Sequence, residues 1–389
     1  MAIQNGDGER EKVVNKLPGR LHRELKVRAA ELGVDIQDAV TAGIVAWLAA
    51  GTAGPDIETA GADPFSTYLP AGLYDRFKEH CAGQRVSFVQ GLARSVRLWL
   101  DANPSASQSP AAVPRRIIVC NQKGGVGKTA IAGGLAQAFA EADEQYGTSA
   151  GTALRVLLID FDPQGHLSEQ LGVPAIEARK DSLPLHMSGQ AGGDIGDLVV
   201  ELPQERFGSR LHFIPTSMDG FLLDPWLNTV RAREMSLERA LDPLEDQYDV
   251  IVVDCPPSLG YSVDAAIYYG RQREGEAPGR SGVLIPVQAE DSSAYAFGML
   301  MSQIGALCTD MRIEVGNLGL VVNLYDSRRG YIATSSLDKW ESLGDPPVIA
   351  VIHDLKELRE AARKHQPILE YMPGSEQAQA MRDLAKAIS

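Results

Sequence analysis

A glycine-rich stretch between an apolar segment and a helical segment constrains the fold of this chain more than any other feature. The apolar segment, residues 116–120, reads RIIVC, and residues 121–129 after it read NQKGGVGKT. Small residues in such a loop let backbone N–H groups turn inward at the N-terminus of the following helix, where they wrap phosphate oxygens. The sequence therefore predicts a strand, a phosphate-binding loop and a helix in this order.

From residue 115 onward, apolar runs alternate with helical stretches. The runs predicted to be strands are residues 116–120, 155–160, 211–215, 248–254, 283–287, 318–323 and 348–352. Continuous apolar strands separated by helices are typical of a parallel sheet that is covered on both faces. Residues 115–389 are therefore predicted to form an α/β domain with a doubly wound, mostly parallel sheet, whose ligand binds at the carboxyl ends of the strands.

The first hundred residues contain an internal repeat at an offset of 52 residues. The Leu-Pro pair at residues 17–18 recurs at 69–70, and Trp47 recurs as Trp99. Each copy, residues 12–48 and 64–100, reads as a short strand that ends at a proline, followed by two helices with one apolar stripe each. A unit this short cannot bury both stripes by itself, so we expect it to pair with a second copy.

The repeated unit resembles the ribbon-helix-helix family of DNA-binding proteins, which gives residues 1–100 an expected small α+β domain in tandem form. In that family an antiparallel two-stranded ribbon enters the major groove, and its outward side chains contact base edges. The resemblance implies five outward ribbon residues and one phosphate-holding helix cap: Lys12, Val14, Lys16, Ser66, Tyr68 and Ser87. A module used only for oligomerisation remains the alternative, and the copies could pair within one chain or between chains.

Charge is distributed unevenly along the chain, whose formal net charge is −14. Residues 10–47 hold seven Lys/Arg and five Asp/Glu, and residues 65–100 hold five and two. From residue 104 onward there are 25 basic and 38 acidic residues. This asymmetry permits nucleic-acid binding by the first part of the chain. Residues 101–114, DANPSASQSPAAVP, read as a tether between the two domains.

The glycine-rich loop departs from the P-loop pattern GxxxxGK[ST] only at its first glycine, where Gln122 stands. In that pattern Lys128 contacts the β and γ phosphates, and the Thr129 hydroxyl binds Mg²⁺. The residues predicted to bind nucleotide here are Gly124, Gly125, Val126, Gly127, Lys128, Thr129 and Ala130.

Lys123 makes the loop more distinctive. KGGVGKT is the deviant Walker A signature of the ParA/MinD family of dimeric ATPases, which the chain resembles over most of residues 115–389. The resemblance implies ATP and Mg²⁺ as cofactors, a homodimer with ATP, and a Lys123 that reaches the phosphates bound by the other subunit. A cation contributed in trans would stabilise charge on the transferring phosphoryl group and couple dimerisation to ATP.

Two further motifs resemble those of the same family. Residues 160–165 read DFDPQG, and residues 254–260 read DCPPSLG. The resemblance implies that Asp162 orients the attacking water, that Asp160 supports the metal shell and that Asp254 holds Mg²⁺ through water. The predicted catalytic residues are therefore Lys123, Lys128 and Asp162, and the predicted metal residues are Thr129, Asp160 and Asp254.

Asn323 stands where the family has an adenine-contacting asparagine, with an ordinary turn residue as the alternative. Ala130 replaces a threonine that often touches the α-phosphate, and residues 271–280, RQREGEAPGR, form an insertion after the second motif. The end of the chain, MRDLAKAIS, has little charge excess, which disfavours the membrane-binding MinD branch.

Within the family, the motifs are most similar to those of ParA-type partition ATPases. The resemblance implies non-specific DNA binding by the ATP dimer, hydrolysis stimulated by a ParB-like partner, and a nucleoid-associated protein without a membrane role. Four scattered cysteines form neither a disulfide framework nor a CxxC pair, so a cytoplasmic setting is the default expectation. The basic residues expected to contact DNA are Arg328, Arg329, Lys356 and Arg359, with solvated surface charge as the alternative. The first domain is expected to bind specific DNA and repress its own operon. A nucleotide-controlled transcription regulator, or a positioning ATPase for another cargo, remains open.

Overall fold

The computed structural model describes residues 10–31, 34–50, 57, 59, 62–103, 113–142 and 153–389. Its contacts divide the chain into two compact units, residues 1–111 and 112–389. No helix in these described ranges is long and apolar enough to cross a bilayer.

The N-terminal unit contains two strands and four helices in its described part. They are β1 (Arg10–Leu17), α1 (Gly19–Glu31), α2 (Ile36–Ala50), β2 (Asp63–Pro70), α3 (Leu73–Gln84) and α4 (Phe88–Ala102). The strands pair antiparallel, with Lys12 opposite Tyr68 and Val14 opposite Ser66. The two copies of the repeat therefore pair within one chain, which answers the question that the sequence left open.

The core of this unit lies between one face of the ribbon and the helices. Val13, Leu17, Phe65 and Leu69 point inward and are buried, because alternate strand residues face opposite sides of a sheet. Helices α2 and α4 cross so closely that a Cβ at Gly43 would lie 2.4 Å from the Ser95 carbonyl oxygen. Only glycine permits this approach of the two helices.

The described part of the C-terminal unit is built on a sheet of eight strands. They are β3 (Arg115–Val119), β4 (Val156–Asp160), β5 (Val200–Glu201), β6 (Leu211–Ile214), β7 (Val250–Asp254), β8 (Gly282–Val287), β9 (Asn317–Tyr325) and β10 (Val348–His353). Their order is β10-β9-β8-β3-β7-β4-β6-β5, and only β5 runs antiparallel to its neighbour. The predicted doubly wound, mostly parallel α/β fold is confirmed.

Helices cover both faces of this sheet. The α-helices are α5 (Lys128–Ala140), α6 (His166–Gln170), α7 (Leu183–Ser188), α8 (Leu223–Leu227), α9 (Ser236–Leu241), α10 (Tyr261–Tyr269), α11 (Asp291–Met311), α12 (Tyr331–Ser342), α13 (Glu357–Arg363), α14 (Ile368–Tyr371) and α15 (Glu376–Ala387). Short 3₁₀ helices span Ile195–Leu198, Glu205–Phe207, Met218–Leu222, Arg233–Met235, Asp242–Gln247 and Ser327–Arg329.

Alternate residues of the central strands belong to two different hydrophobic clusters. Ile118, Ile159 and Val253 pack on one face of the sheet, whereas Ile117, Leu158 and Val252 pack on the other. Burial on both faces explains why these strands read as continuous apolar runs in the sequence.

The insertion at residues 271–280 is tied into the unit by buried charges. Glu276 accepts a hydrogen bond from the Arg116 guanidinium at 2.5 Å, and both side chains are almost fully buried. Arg273 pairs with Glu245 at 2.6 Å. The insertion therefore closes the amino-terminal edge of β3, away from the phosphate-binding loop.

Candidate nucleotide site

The fold brings three polar segments to one edge of the sheet. β3 lies between β7 and β8, and the glycine-rich loop, residues 120–127, leaves its carboxyl end. Val119 lies in register with Asp254 at the end of β7, which lies in register with Asp160 at the end of β4. Parallel strands thus place residues that are far apart in sequence beside one another.

The loop forms an open cradle at the N-terminus of α5. Gly125 and Gly127 have φ angles of 76° and 88°, in the left-handed region that favours glycine. A Cβ at Gly124 or Gly125 would meet nothing within 4 Å, whereas a Cβ at Gly127 would lie 2.0 Å from the Asn323 amide nitrogen. The space beside the Cα atoms of Gly124 and Gly125 is therefore open, whereas the loop is braced by Asn323 at Gly127.

Lys128 is buried at the base of the loop. Its Nζ donates a hydrogen bond to the Lys123 carbonyl oxygen at 3.1 Å. Burial lowers the pKa of Lys128, while the carboxylates of Asp254 and Asp162 favour its charged form. Burial disfavours the charged form of this ammonium, and a nearby negative charge favours it. The position beside the open cradle is therefore suited to bind an anion.

Asp254 lies fully buried at the end of β7. Burial is the main reason that its pKa is raised well above the ordinary value, and the nearby Asp160 adds to the effect. The nearby Thr129 side chain opposes this rise in pKa. Even so, neither carboxylate oxygen of Asp254 makes a hydrogen bond of normal geometry within the described part of the chain. Two unsatisfied buried acceptors call for a cation or ordered water.

Only one of the two carboxylate oxygens of Asp160 has hydrogen-bond partners within the described part of the chain. Its Oδ2 accepts hydrogen bonds from the Ser168 amide at 2.8 Å and from the Ser168 hydroxyl at 2.7 Å. Its Oδ1 is buried with no partner among the described residues, and burial raises the pKa of Asp160 to about 6. Ser168 in turn accepts from the Thr216 amide at 3.0 Å, so this carboxylate is held between β4, α6 and the end of β6.

Asp162 sits two residues beyond the end of β4 and is buried. Its Oδ1 accepts from the Gln164 amide at 2.9 Å, and its carbonyl oxygen accepts from the Thr216 hydroxyl at 2.8 Å. These bonds hold the residue at the same strand edge as Lys128, whose charge it stabilises.

The donor set fits a nucleotide phosphate with a divalent cation. Within the described ranges no group of three or more His, Cys, Asp or Glu side chains could hold a metal by itself. Mg²⁺ usually binds one or two carboxylates together with phosphate oxygens and waters. The unsatisfied oxygens of Asp254 and Asp160, beside Thr129 and an open anion cradle, match that requirement.

Lys123 has partners that the sequence did not reveal. Its ammonium forms an ion pair with Glu290 and donates to the Ser292 hydroxyl at 2.7 Å and to the Ser293 hydroxyl at 3.3 Å. These residues lie at the start of α11, just beyond the end of β8. The ammonium of this signature lysine is thus held by residues of its own chain.

Asn323 is buried at the carboxyl end of β9. Its amide nitrogen donates to the Val126 carbonyl oxygen at 3.0 Å, and its Oδ1 has no partner within the described ranges. The side chain therefore braces the glycine-rich loop. The predicted contact with adenine stays a prediction.

The basic residues after β9 lie on the surface among acidic partners. Arg328 pairs with Asp326 at 2.8 Å, Lys356 with Glu360 at 3.5 Å and Arg359 with Asp354 at 3.1 Å. The Arg329 side chain lies outside the described part of the structure. Their contact with DNA stays a prediction.

The predicted DNA-contacting residues of the N-terminal unit lie where the repeat places them. Lys12, Lys16, Ser66 and Tyr68 are exposed on the outer face of the ribbon. The Ser87 hydroxyl accepts from the Gln90 amide at 3.2 Å and caps α4.

Sequence reasoning missed Glu290, Ser168 and Thr216. None belongs to a phosphate-binding motif, and each acts through a contact across the sheet edge. The one available signal was position, since Thr216 lies two residues beyond the end of β6 and Glu290 lies three residues beyond the end of β8.

Comparisons with known proteins agree with this geometry. A family model described as an AAA domain matches residues 114–315. Sporulation initiation inhibitor protein Soj of Bacillus subtilis is 29% identical over 279 residues, which are 70% of this chain and 97% of Soj. Chromosome partitioning protein ParA of Myxococcus xanthus is 30% identical over 218 residues, which are 56% of this chain and 68% of that protein.

Solved structures share the fold. Cyanothece McdA in complex with ATP superposes with a TM-score of 0.58 at 17% identity, covering 71% of this chain and 96% of McdA. A Mycobacterium smegmatis cobyrinic acid a,c-diamide synthase with bound ATP analogue and magnesium gives a TM-score of 0.53 at 26% identity, covering 70% and 93%. The family match, the relatives and the geometry at the strand ends together show that the chain belongs to the ParA family of P-loop ATPases.

Proposed function

We propose that this chain is a partition or positioning ATPase that binds ATP with Mg²⁺ and hydrolyses it as a homodimer. The observation that carries the proposal is the meeting of Lys123, Lys128 and the carboxylates of Asp160, Asp162 and Asp254 at one sheet edge. The names of Soj and ParA, and the ATP analogue and magnesium in a related structure, support it.

In the proposed reaction each residue has a distinct task. The loop amides and Lys128 would hold the phosphates, while Thr129, Asp254 and Asp160 would hold Mg²⁺. The bound Mg²⁺ would neutralise charge on the phosphates. Asp162 would accept a hydrogen bond from the attacking water and orient it, because its carboxylate lies near enough to the Lys128 ammonium to stabilise its charge.

Dimerisation is proposed to depend on Lys123. ATP would draw this side chain away from Glu290 and toward the phosphates of the other subunit, since a triphosphate offers more negative charge than a single carboxylate. ADP lacks the terminal phosphate, so it would hold the dimer less tightly.

Light scattering with Mg²⁺ and a non-hydrolysable ATP analogue tests this proposal. The unaltered chain should become a dimer, and Lys123→Ala should stay monomeric while still binding nucleotide. Lys128→Ala serves as the matched comparison, because it should lose nucleotide binding itself. A Lys123→Ala dimer of unchanged stability would contradict the proposal.

We further propose that the ATP dimer binds DNA without sequence preference and that a ParB-like protein stimulates its hydrolysis. Residues 326–364 hold seven Lys/Arg and seven Asp/Glu, so binding would need the basic side chains to exchange acidic partners for phosphates. Such binding should weaken steeply with salt. Salt titration of DNA binding by Arg328→Ala and Lys356→Ala tests it, and unchanged affinity in both variants would count against it.

The N-terminal unit is proposed to bind specific DNA as a ribbon-helix-helix module, with repression of its own operon as the consequence. Lys12 and Lys16 on the exposed ribbon face support this assignment. Footprinting on DNA upstream of its own gene tests it. Lys12→Ala with Lys16→Ala should remove the footprint and leave non-specific binding intact, whereas no footprint in any nucleotide state would refute it.

A transcription regulator that moves no cargo is the second candidate, favoured by the complete ribbon within a single chain. Replicon loss in a deletion strain separates the two. Stable inheritance without the protein would favour the regulator.

A further inference from the structure

The ribbon of the N-terminal unit has an approximate two-fold axis that the pairing register locates. The repeat offset of 52 makes Ser66 the counterpart of Val14, and these two residues are paired directly opposite one another. The same offset relates Gly43 to Ser95, the residues at which α2 and α4 meet. One chain therefore contains, as an internal pair, what two identical chains would otherwise form.

The side chains on the outer face of the ribbon are not symmetric about this axis. At one end Lys12 is paired with Tyr68, and at the other end Lys16 is paired with Pro64. The axis relates Lys12 to Pro64 and Lys16 to Tyr68, so each lysine has an uncharged counterpart. All four side chains are exposed, so a ligand meets two chemically different ends.

The helix N-termini beside the ribbon differ in the same way. At the Lys12 end, Asp38 in the first turn of α2 forms an ion pair with Arg10. At the Lys16 end, the carbonyl oxygen of Phe88 at the start of α4 accepts a hydrogen bond from the Asn15 side chain. The α2 terminus carries Asp35 and Asp38, whose counterparts at α4 are the uncharged Ser87 and Gln90. A phosphate would therefore be held more strongly beside the Lys16 end.

We infer that one chain, without a partner and without nucleotide, reads a non-palindromic duplex DNA site. The inference rests on the proposed binding of specific DNA by this unit. Symmetric β-ribbon and helix-turn-helix dimers select sites whose symmetry mirrors their own two-fold axis. Here the backbone keeps the two-fold arrangement, but the side chains on the outer face of the ribbon are not symmetric. The two halves of the preferred DNA site should therefore differ. The outer face carries lysines and no acidic side chain among Lys12, Val14, Lys16, Pro64, Ser66 and Tyr68, which suits DNA.

Selection from a random duplex library with the full-length chain, in the absence of nucleotide, tests the inference. The enriched site should be non-palindromic, and mass photometry should show one chain bound to it. Replacing either half of that site by the inverted copy of the other should weaken binding about tenfold or more, since every mismatched base pair in a recognised site weakens binding. A palindromic consensus would overturn the inference while upholding specific DNA binding. Failure to enrich any sequence would refute the proposed DNA binding itself, and the inference with it.

A symmetrised ribbon gives a sharper test. The triple variant Pro64→Lys, Ser66→Val and Tyr68→Lys makes the outer face of β2 match that of β1, at positions that are exposed and outside the core. This variant should select a palindrome. Glu79→Lys, an exposed position on α3, changes the net charge by the same amount and should keep the original asymmetric site. A symmetrised variant that melts like the unaltered chain yet keeps the asymmetric site would overturn the inference.

Discussion

Replacing Glu290 by glutamine should strengthen the ATP-dependent association of two chains. In the structure Lys123 is paired with Glu290 and also donates to Ser292 and Ser293. If Lys123 must leave these partners to reach the other subunit's nucleotide, the contact opposes dimerisation. The Glu290→Gln variant keeps the shape of the side chain and removes its charge.

The magnitude follows from the exposure of the pair. The Lys123 side chain is 21% exposed and that of Glu290 is 36% exposed, so solvent screens their attraction. Ion pairs at such surfaces contribute about 0.2–1 kcal/mol. A dimer releases two of them, which gives about 0.4–2 kcal/mol, or a dimer dissociation constant that is about 2- to 30-fold lower.

Sedimentation velocity over a range of protein concentrations, with Mg²⁺ and a non-hydrolysable ATP analogue, measures this constant. Asp75→Asn is the control, because it breaks an ion pair with Lys78 in the N-terminal unit and should leave association unchanged. A weaker dimer in Glu290→Gln would show that this carboxylate supports the associated state, and the reasoning would then be refuted.

Three other perturbations probe the site and its support. Asp162→Ala should slow phosphate release about 100-fold or more and leave a persistent ATP dimer by light scattering, because the water loses its orienting group; rapid turnover would exclude that role. Gly127→Ala should lower the melting temperature and weaken nucleotide binding, since φ is 88° and a Cβ would lie 2.0 Å from the Asn323 amide nitrogen; an unchanged melting curve would contradict the close approach. Glu276→Ala should lower the free energy of unfolding by about 3–5 kcal/mol in denaturant titrations, because it leaves the Arg116 guanidinium buried without its carboxylate; a loss below about 1 kcal/mol would show that the pair is dispensable.

The local features of this protein could be predicted from its sequence. The glycine-rich loop lies between β3 and α5 as expected, because the positive φ angles and the helix start depend on residues that are neighbours in the chain. The continuous apolar runs predicted a covered parallel sheet for the same local reason. The repeat likewise predicted two strand–helix–helix copies before their pairing was known.

Contacts between distant segments depended on the tertiary structure. Strand order places Asp160 beside Asp254, ties Lys123 to Glu290 and sets Asn323 against the loop, and no local pattern encodes which strand ends become neighbours. The charged insertion also read as an interruption in the sequence. Only the fold revealed that its Glu276 satisfies a buried arginine 160 residues earlier in the chain, since burial and pairing are properties of the packed molecule.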